Sequence, residues 1–107
     1  MKQPQITPDD IVYISGPMSG IKNANREAFD AVEKDLVEKF GCRVLNPARG
    51  MPDGLQYRQY MAHAMTLLSN ATAVVSLPGW EESLGARIES ACATRDGLKT
   101  FSATVED

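Results

Sequence analysis

The sequence predicts a small three-layer α/β domain built on a four-stranded parallel sheet. Three observations lead there. Four short apolar runs recur along the chain, and the first three are each halted by Gly, Pro or Asn. Segments of helical period lie between them. The resulting order is β-α-β-α-β-α-β, and strands separated by helices pair in parallel through right-handed crossovers. At 107 residues the chain is expected to form a single domain spanning residues 1–107.

Each element has its own signal. Residues 11–15 (IVYIS) read as a buried strand stopped by Gly16-Pro17, and residues 16–23 hold loop-forming Gly, Pro, Ser and Asn. From about Asn25 to Phe40 the pattern is helical, with Phe29, Val32, Leu36 and Phe40 on one stripe. Gly41 suits the left-handed residue that ends a helix. Residues 42–45 (CRVL) form a second strand halted by Asn46-Pro47, and residues 47–54 a loop. Leu55 to Ser69 returns to helical period, with Tyr57, Met61, Ala64, Met65 and Leu68 on one face. Residues 72–77 (TAVVSL) are the third strand, stopped by Pro78-Gly79. Ser83 is an N-cap candidate for a helix running to about Arg95 that buries Leu84, Ile88, Ala91 and Cys92. Gly97 ends it, and Lys99 to Ala103 is the last strand. The expected order is 2-1-3-4, a Rossmann- or flavodoxin-like arrangement with its topological switch between the first and third strands.

Composition removes several function classes. Eleven Lys+Arg against fourteen Asp+Glu give a net charge of −3, and no basic block is present, which argues against nucleic-acid binding. No apolar run approaches the roughly 18 residues of a membrane span. The polar stretch Met1 to Asp10 has no apolar core of a signal peptide, so a cytoplasmic location is expected. Cys42 and Cys92 are too few for a disulfide scaffold and read as small buried hydrophobes. With one histidine, His63, no metal site is expected, and no cofactor. A domain this small has little surplus stability, and the second helix carries more apolar surface (Tyr57, Tyr60, Met61, Met65) than one sheet face requires. A homodimer or higher homo-oligomer is therefore expected.

Ligands of open parallel sheets sit beyond the carboxyl ends of the strands. That places a site among Gly16–Asn23, Asn46–Gly54 and Pro78–Ser83. The P-loop, G-x-G-x-x-G and G-x-S-x-G patterns are all absent, as are the strand-end carboxylates of a phosphotransfer receiver. The most informative residue is Glu89. It lies at the border of the apolar stripe, leaning over the helical turn that carries Gly85. A glycine inside a helix costs roughly 1 kcal/mol against alanine, so close packing on a strand or a ligand over that turn is its expected reason. A half-buried carboxylate there serves as nucleophile or acid/base, or else pairs with an arginine.

Val12-Tyr13-Ile14-Ser15-Gly16-Pro17-Met18-Ser19-Gly20, followed by Asn46-Pro47, Pro78-Gly79-Trp80 and Ser83-Leu84-Gly85-Ala86-Arg87-Ile88-Glu89, resembles a phage- and prophage-associated domain family of uncharacterised function. That family is in turn similar to the nucleoside 2-deoxyribosyltransferase superfamily, which includes deoxynucleoside 5′-monophosphate N-glycosidases. The resemblance spans about residues 10–102. It implies an enzyme that cleaves or exchanges the N-glycosidic bond of a deoxynucleoside or its 5′-monophosphate, with Glu89 attacking the anomeric carbon. It further implies that Tyr13 places that glutamate and that Ser83 binds phosphate. A serine at a helix start is also a sensible anion ligand in its own right. The expected anion site gathers Ser83, Gly85 and the Gly16–Gly20 loop, including Ser19 and Gly20.

This sequence departs from those enzymes at three positions. Their second-helix aspartate falls on Ala64, the acid that starts their third strand on Thr72, and the first-loop serine on Pro17. Asp53, Glu81 and Glu82 are the loop carboxylates left to protonate a base; His63 points about 100° away from Ala64. Trp80 is a candidate to stack a nucleobase or to cover the sheet edge. Asn46 either bonds a ribose or caps its turn. Arg26 and Arg49 either meet a phosphate or lie at the surface. The alternative to an enzyme is a nucleotide-binding or sensing domain that has lost the chemistry, or an accessory protein acting through protein contacts.

Overall fold

A computed structural model describes residues 5–18, 21–50 and 54–103. Its strands are β1 (Ile11–Ser15), β2 (Arg43–Leu45), β3 (Ala73–Ser76) and β4 (Lys99–Ser102). They form one sheet in the order β2-β1-β3-β4, parallel throughout, with Tyr13 opposite both Leu45 and Val74. The helices are α1 (Arg26–Phe40), α2 (Tyr57–Leu68) and α3 (Leu84–Arg95). The fold class and strand order are those the sequence predicts.

Alternation along the central strands separates two cores. Val12, Ile14, Val75 and Leu77 face one way and pack with Phe29 and Leu36 of α1. Tyr13 and Val74 face the other way and pack with Ala64 and Leu68 of α2 and Ala93 of α3. The α1 stripe lies where its periodicity puts it, and Gly41 ends the helix at φ 65°. Before α1 comes a turn the pattern did not reveal. Asn23, Ala24 and Asn25 are all left-handed (φ 55°, 53° and 62°), held by a bond from the Asn25 amide to the Pro17 carbonyl. Helix α2 starts two residues later than Leu55, at a reciprocal Gln56–Gln59 cap.

One helix face requires correction. The buried residues of α3 are Ala86, Glu89 and Ala93, whereas Leu84 and Ile88 are 57% and 39% exposed, Ala91 is exposed and Cys92 only half-buried. The helix is turned by about one residue, or 100°, from the face that hydrophobicity selects. Two alanines let α3 come close to the sheet, and the glutamate between them finds partners there.

At the opposite edge Asp10 fastens three strands. Its carboxylate accepts from the Thr7 backbone and the Thr72 hydroxyl, each at 2.8 Å, and from the Lys99 ammonium. Burial alone raises its pKa, but these donors outweigh burial and hold it at about 2. A folded-state value below the unfolded one stabilises the fold above about pH 4, and that contribution is lost as pH falls through about 2. Lys99 still meets solvent, so screening leaves on the order of 1 kcal/mol. Urea unfolding at pH 7, 4 and 2.5 is expected to show Asp10→Asn less stable at neutral pH, with the gap closing at the acid end. A gap as wide at pH 2.5 as at pH 7 contradicts this account.

Among the described residues no helix is long and apolar enough to cross a membrane.

Candidate functional site

Tyr13 and Ser15 are two residues apart on β1, so both side chains leave the same face of the sheet, toward α3. Helix α3 returns Glu89 over that face. The carboxylate is 2% exposed, yet both oxygens are satisfied: Tyr13 donates to Oε2 and Ser15 to Oε1, each at 2.6 Å. Burial pushes the Glu89 pKa up, and the bonds from Ser15 and Tyr13 pull part of that rise back. Burial, and then the Glu89 charge, push the Tyr13 phenol far up, so Tyr13 remains a protonated donor. Among the described residues no arginine pairs with Glu89. The half-buried boundary glutamate expected from the sequence is a fully buried one at the centre of its helix face.

Above Glu89 opens a cavity of about 330 Å³, within the size range of small-molecule sites. Gly16 and Met18 line it from the loop after β1, and Arg26 from the start of α1. Tyr57 and Tyr60 line it from α2, and Ser83, Gly85 and Ala86 from the first turn of α3. Ser83 is the N-cap, its Oγ accepting from the Ala86 amide at 3.3 Å, and the same hydroxyl can still donate. Gly85 owes its place to helix–helix contact. An added Cβ would meet Met61 Sδ at 3.1 Å and Tyr57 Oη at 3.4 Å, so glycine lets the first turns of α2 and α3 touch. A second hollow of about 670 Å³ shares Tyr57, Ser83 and Gly85 and continues toward Glu82.

The fold thus gathers Tyr13, Gly16, Ser83, Gly85 and Glu89 in one place, with Tyr13 beneath the cavity rather than in its wall. Asn46 stands apart. Its amide donates to Asp30 and Glu33, and its Oδ1 accepts from the Ala48 backbone, which makes it a turn residue. Trp80 opens a short turn, Trp80–Glu82, and lines neither hollow. Arg49 pairs with Glu33 at 3.2 Å. Ser19, Gly20 and Asp53 lie outside the described residues. Ala64 is buried against Tyr13, and His63 is exposed. Among the described residues no cluster of three metal-ligating side chains forms.

Sequence reasoning missed Ser15 and gave Tyr60 only a packing role. Ser15 was within reach, because a residue two positions after Tyr13 on a strand shares its face. Tyr60 carried no such signal, since the approach of α2 to α3 is set by tertiary packing.

A model of a domain of unknown function (DUF4406) matches residues 10–101. Comparison with curated proteins finds no match.

Proposed function

We propose, for a chain that belongs to the DUF4406 family, that it cleaves or exchanges the N-glycosidic bond of a deoxynucleoside or deoxynucleoside 5′-monophosphate. The observation that carries this reading is the Glu89 carboxylate. It is removed from water, held on both oxygens by hydroxyl donors from β1, and still open to a cavity of nucleoside size. The likeness of the chain's motifs to the nucleoside 2-deoxyribosyltransferase superfamily supports the same reading.

The chemistry follows from the placement. Two hydroxyls favour the ionised form of Glu89 against the larger pull of burial, and they aim it. With the sugar over the carboxylate, an oxygen of Glu89 bonds to C1′ as the C1′–N bond breaks, through an oxocarbenium-like transition state. Water or a second base then attacks C1′ and frees the glutamate. Ser83 and the amides at the start of α3, with Arg26 opposite, suit a 5′-phosphate. The working form in this reading is a homo-oligomer, with exposed Tyr57, Leu84 and Ile88 as contact candidates, and light scattering measures it.

Chromatography of deoxynucleosides and their 5′-monophosphates is expected to show free base appearing only with the protein. Base release without an acceptor base indicates a hydrolase, and release only with one indicates a transferase. The rate should rise with pH along a limb above the ordinary glutamate range, because only ionised Glu89 attacks and its pKa is raised. A second reading, a nucleotide sensor, is favoured by one observation: Glu89 is the sole carboxylate lining the cavity among the described residues. Binding measured by calorimetry with no base released decides for the sensor.

A further inference from the structure

A nucleobase that leaves with the glycosidic electron pair is about as basic as an ordinary phenolate, so its departure needs an acid. Apart from Glu89, the hydroxyl donors lining the cavity among the described residues are Ser83, Tyr57 and Tyr60. Resting on the reading above, we propose that the Tyr60 phenol is that acid, giving its proton to a ring nitrogen or carbonyl oxygen of the departing base.

Depth in the site separates the three. Helices α2 and α3 both start at the carboxyl edge of the parallel sheet and run alongside each other away from it. Their first turns meet at Tyr57 and Gly85, where the Tyr57 hydroxyl lies over Gly85 beside the Ser83 cap. Those two hydroxyls belong to the mouth. One turn inward α2 presents Tyr60, and about one turn inward α3 presents Glu89. Tyr60 also packs on the buried cluster containing Tyr13, so its ring is anchored at the depth of the reacting carboxylate, whereas Tyr57 is 49% exposed.

The electrostatics fit the timing. Burial first, and then the Glu89 charge, push the Tyr60 phenol well above its ordinary value, so it waits protonated. When the Glu89 oxygen bonds to C1′, the glutamate becomes a neutral ester and that charge is gone. One of the causes that hold the proton on the phenol is thus removed as the base gains its electron pair, and the developing charge on the base takes that proton. The products of this step are a glycosyl ester, a neutral free base and a phenolate. In the second step water attacks C1′, its proton returns to the phenolate, and Glu89 leaves as the carboxylate, so every atom and charge is accounted for.

The test pairs the deoxynucleoside released fastest with its ring-N-methylated, cationic counterpart, whose base leaves neutral and needs no proton. Tyr60→Phe is expected to lower kcat on the ordinary substrate by about 10²–10⁴-fold and to leave the methylated substrate within about fivefold of wild type. Glu89→Gln should lose both. The methylated substrate doubles as the control for folding. Equal loss on both substrates reduces Tyr60 to a shaping residue and overturns the proposal, as does no loss on either. If the wild-type protein releases no base from either substrate, the glycosidic reading itself falls and this inference falls with it.

Discussion

Glu89→Gln is expected to abolish base release, by at least about 10³-fold, without lowering the melting temperature at pH 7. The amide has the shape of the carboxylate but no charge with which to attack C1′. It can accept from one of the Tyr13 and Ser15 hydroxyls and donate to the other, so the buried cluster keeps its partners. The sign of the stability change follows from the raised pKa. A group that holds its proton more tightly when folded makes the fold less stable as pH rises past its unfolded value, and glutamine removes that cost. The variant should melt at or above wild type at neutral pH, and the two should converge below about pH 4.5, where the wild-type carboxyl is protonated in both states. Glu89→Ala discriminates less well, because it leaves two buried hydroxyls facing an empty space. Retained base release in the glutamine variant, measured beside the melt, ends the assignment of Glu89 as nucleophile.

Gly16→Ala is expected to destabilise the protein by about 3 kcal/mol, at the upper end of what overpacking costs. The added methyl would lie 2.7, 2.8 and 2.9 Å from Cβ, Cδ1 and Cγ of Leu77. Leu77 is itself fully buried, and its amide is bonded to the Ser15 carbonyl at 2.8 Å, so it has nowhere to retreat. Relief must come from the chain on either side, and Ser15 on one side holds Glu89. The substitution should therefore also depress whatever activity the cavity has. Gly85→Ala provides the contrast, since it meets only the far ends of Met61 and Tyr57. Urea midpoints for the two variants measure the difference, and a Gly16→Ala protein as stable as wild type contradicts the close approach.

The scaffold was legible because its signals are local. Apolar runs ended by Gly-Pro, Asn-Pro and Pro-Gly mark the strands, and their alternation with helices leaves few topologies. Two features escaped for physical reasons. The turn through Asn23, Ala24 and Asn25 is left-handed at an alanine, a conformation no residue at that position advertises. The face of α3 was misplaced because hydrophobicity ranks Leu84 and Ile88 inward and Glu89 at the border, while a carboxylate with two hydroxyl partners takes the inner place. Local rules fail most often at positions kept for something other than stability, and here the failure falls on the residue that carries the proposed chemistry. For Asn46 and Trp80, turn chemistry at the right sheet edge left both a site role and a turn or edge role open; the cavity is walled by other residues, and Asn46 caps its turn.

The bonds from Tyr13 and Ser15 to Glu89 join positions 76 and 74 residues apart. That separation has a consequence during synthesis. Synthesis delivers β1, β2 and β3 before α3, so the growing chain has the two hydroxyls before the carboxylate that joins them. The two halves of the cluster meet only once the last third of the chain is free. A translation product that stops short of α3 lacks Glu89, so a prematurely terminated chain cannot complete the cluster.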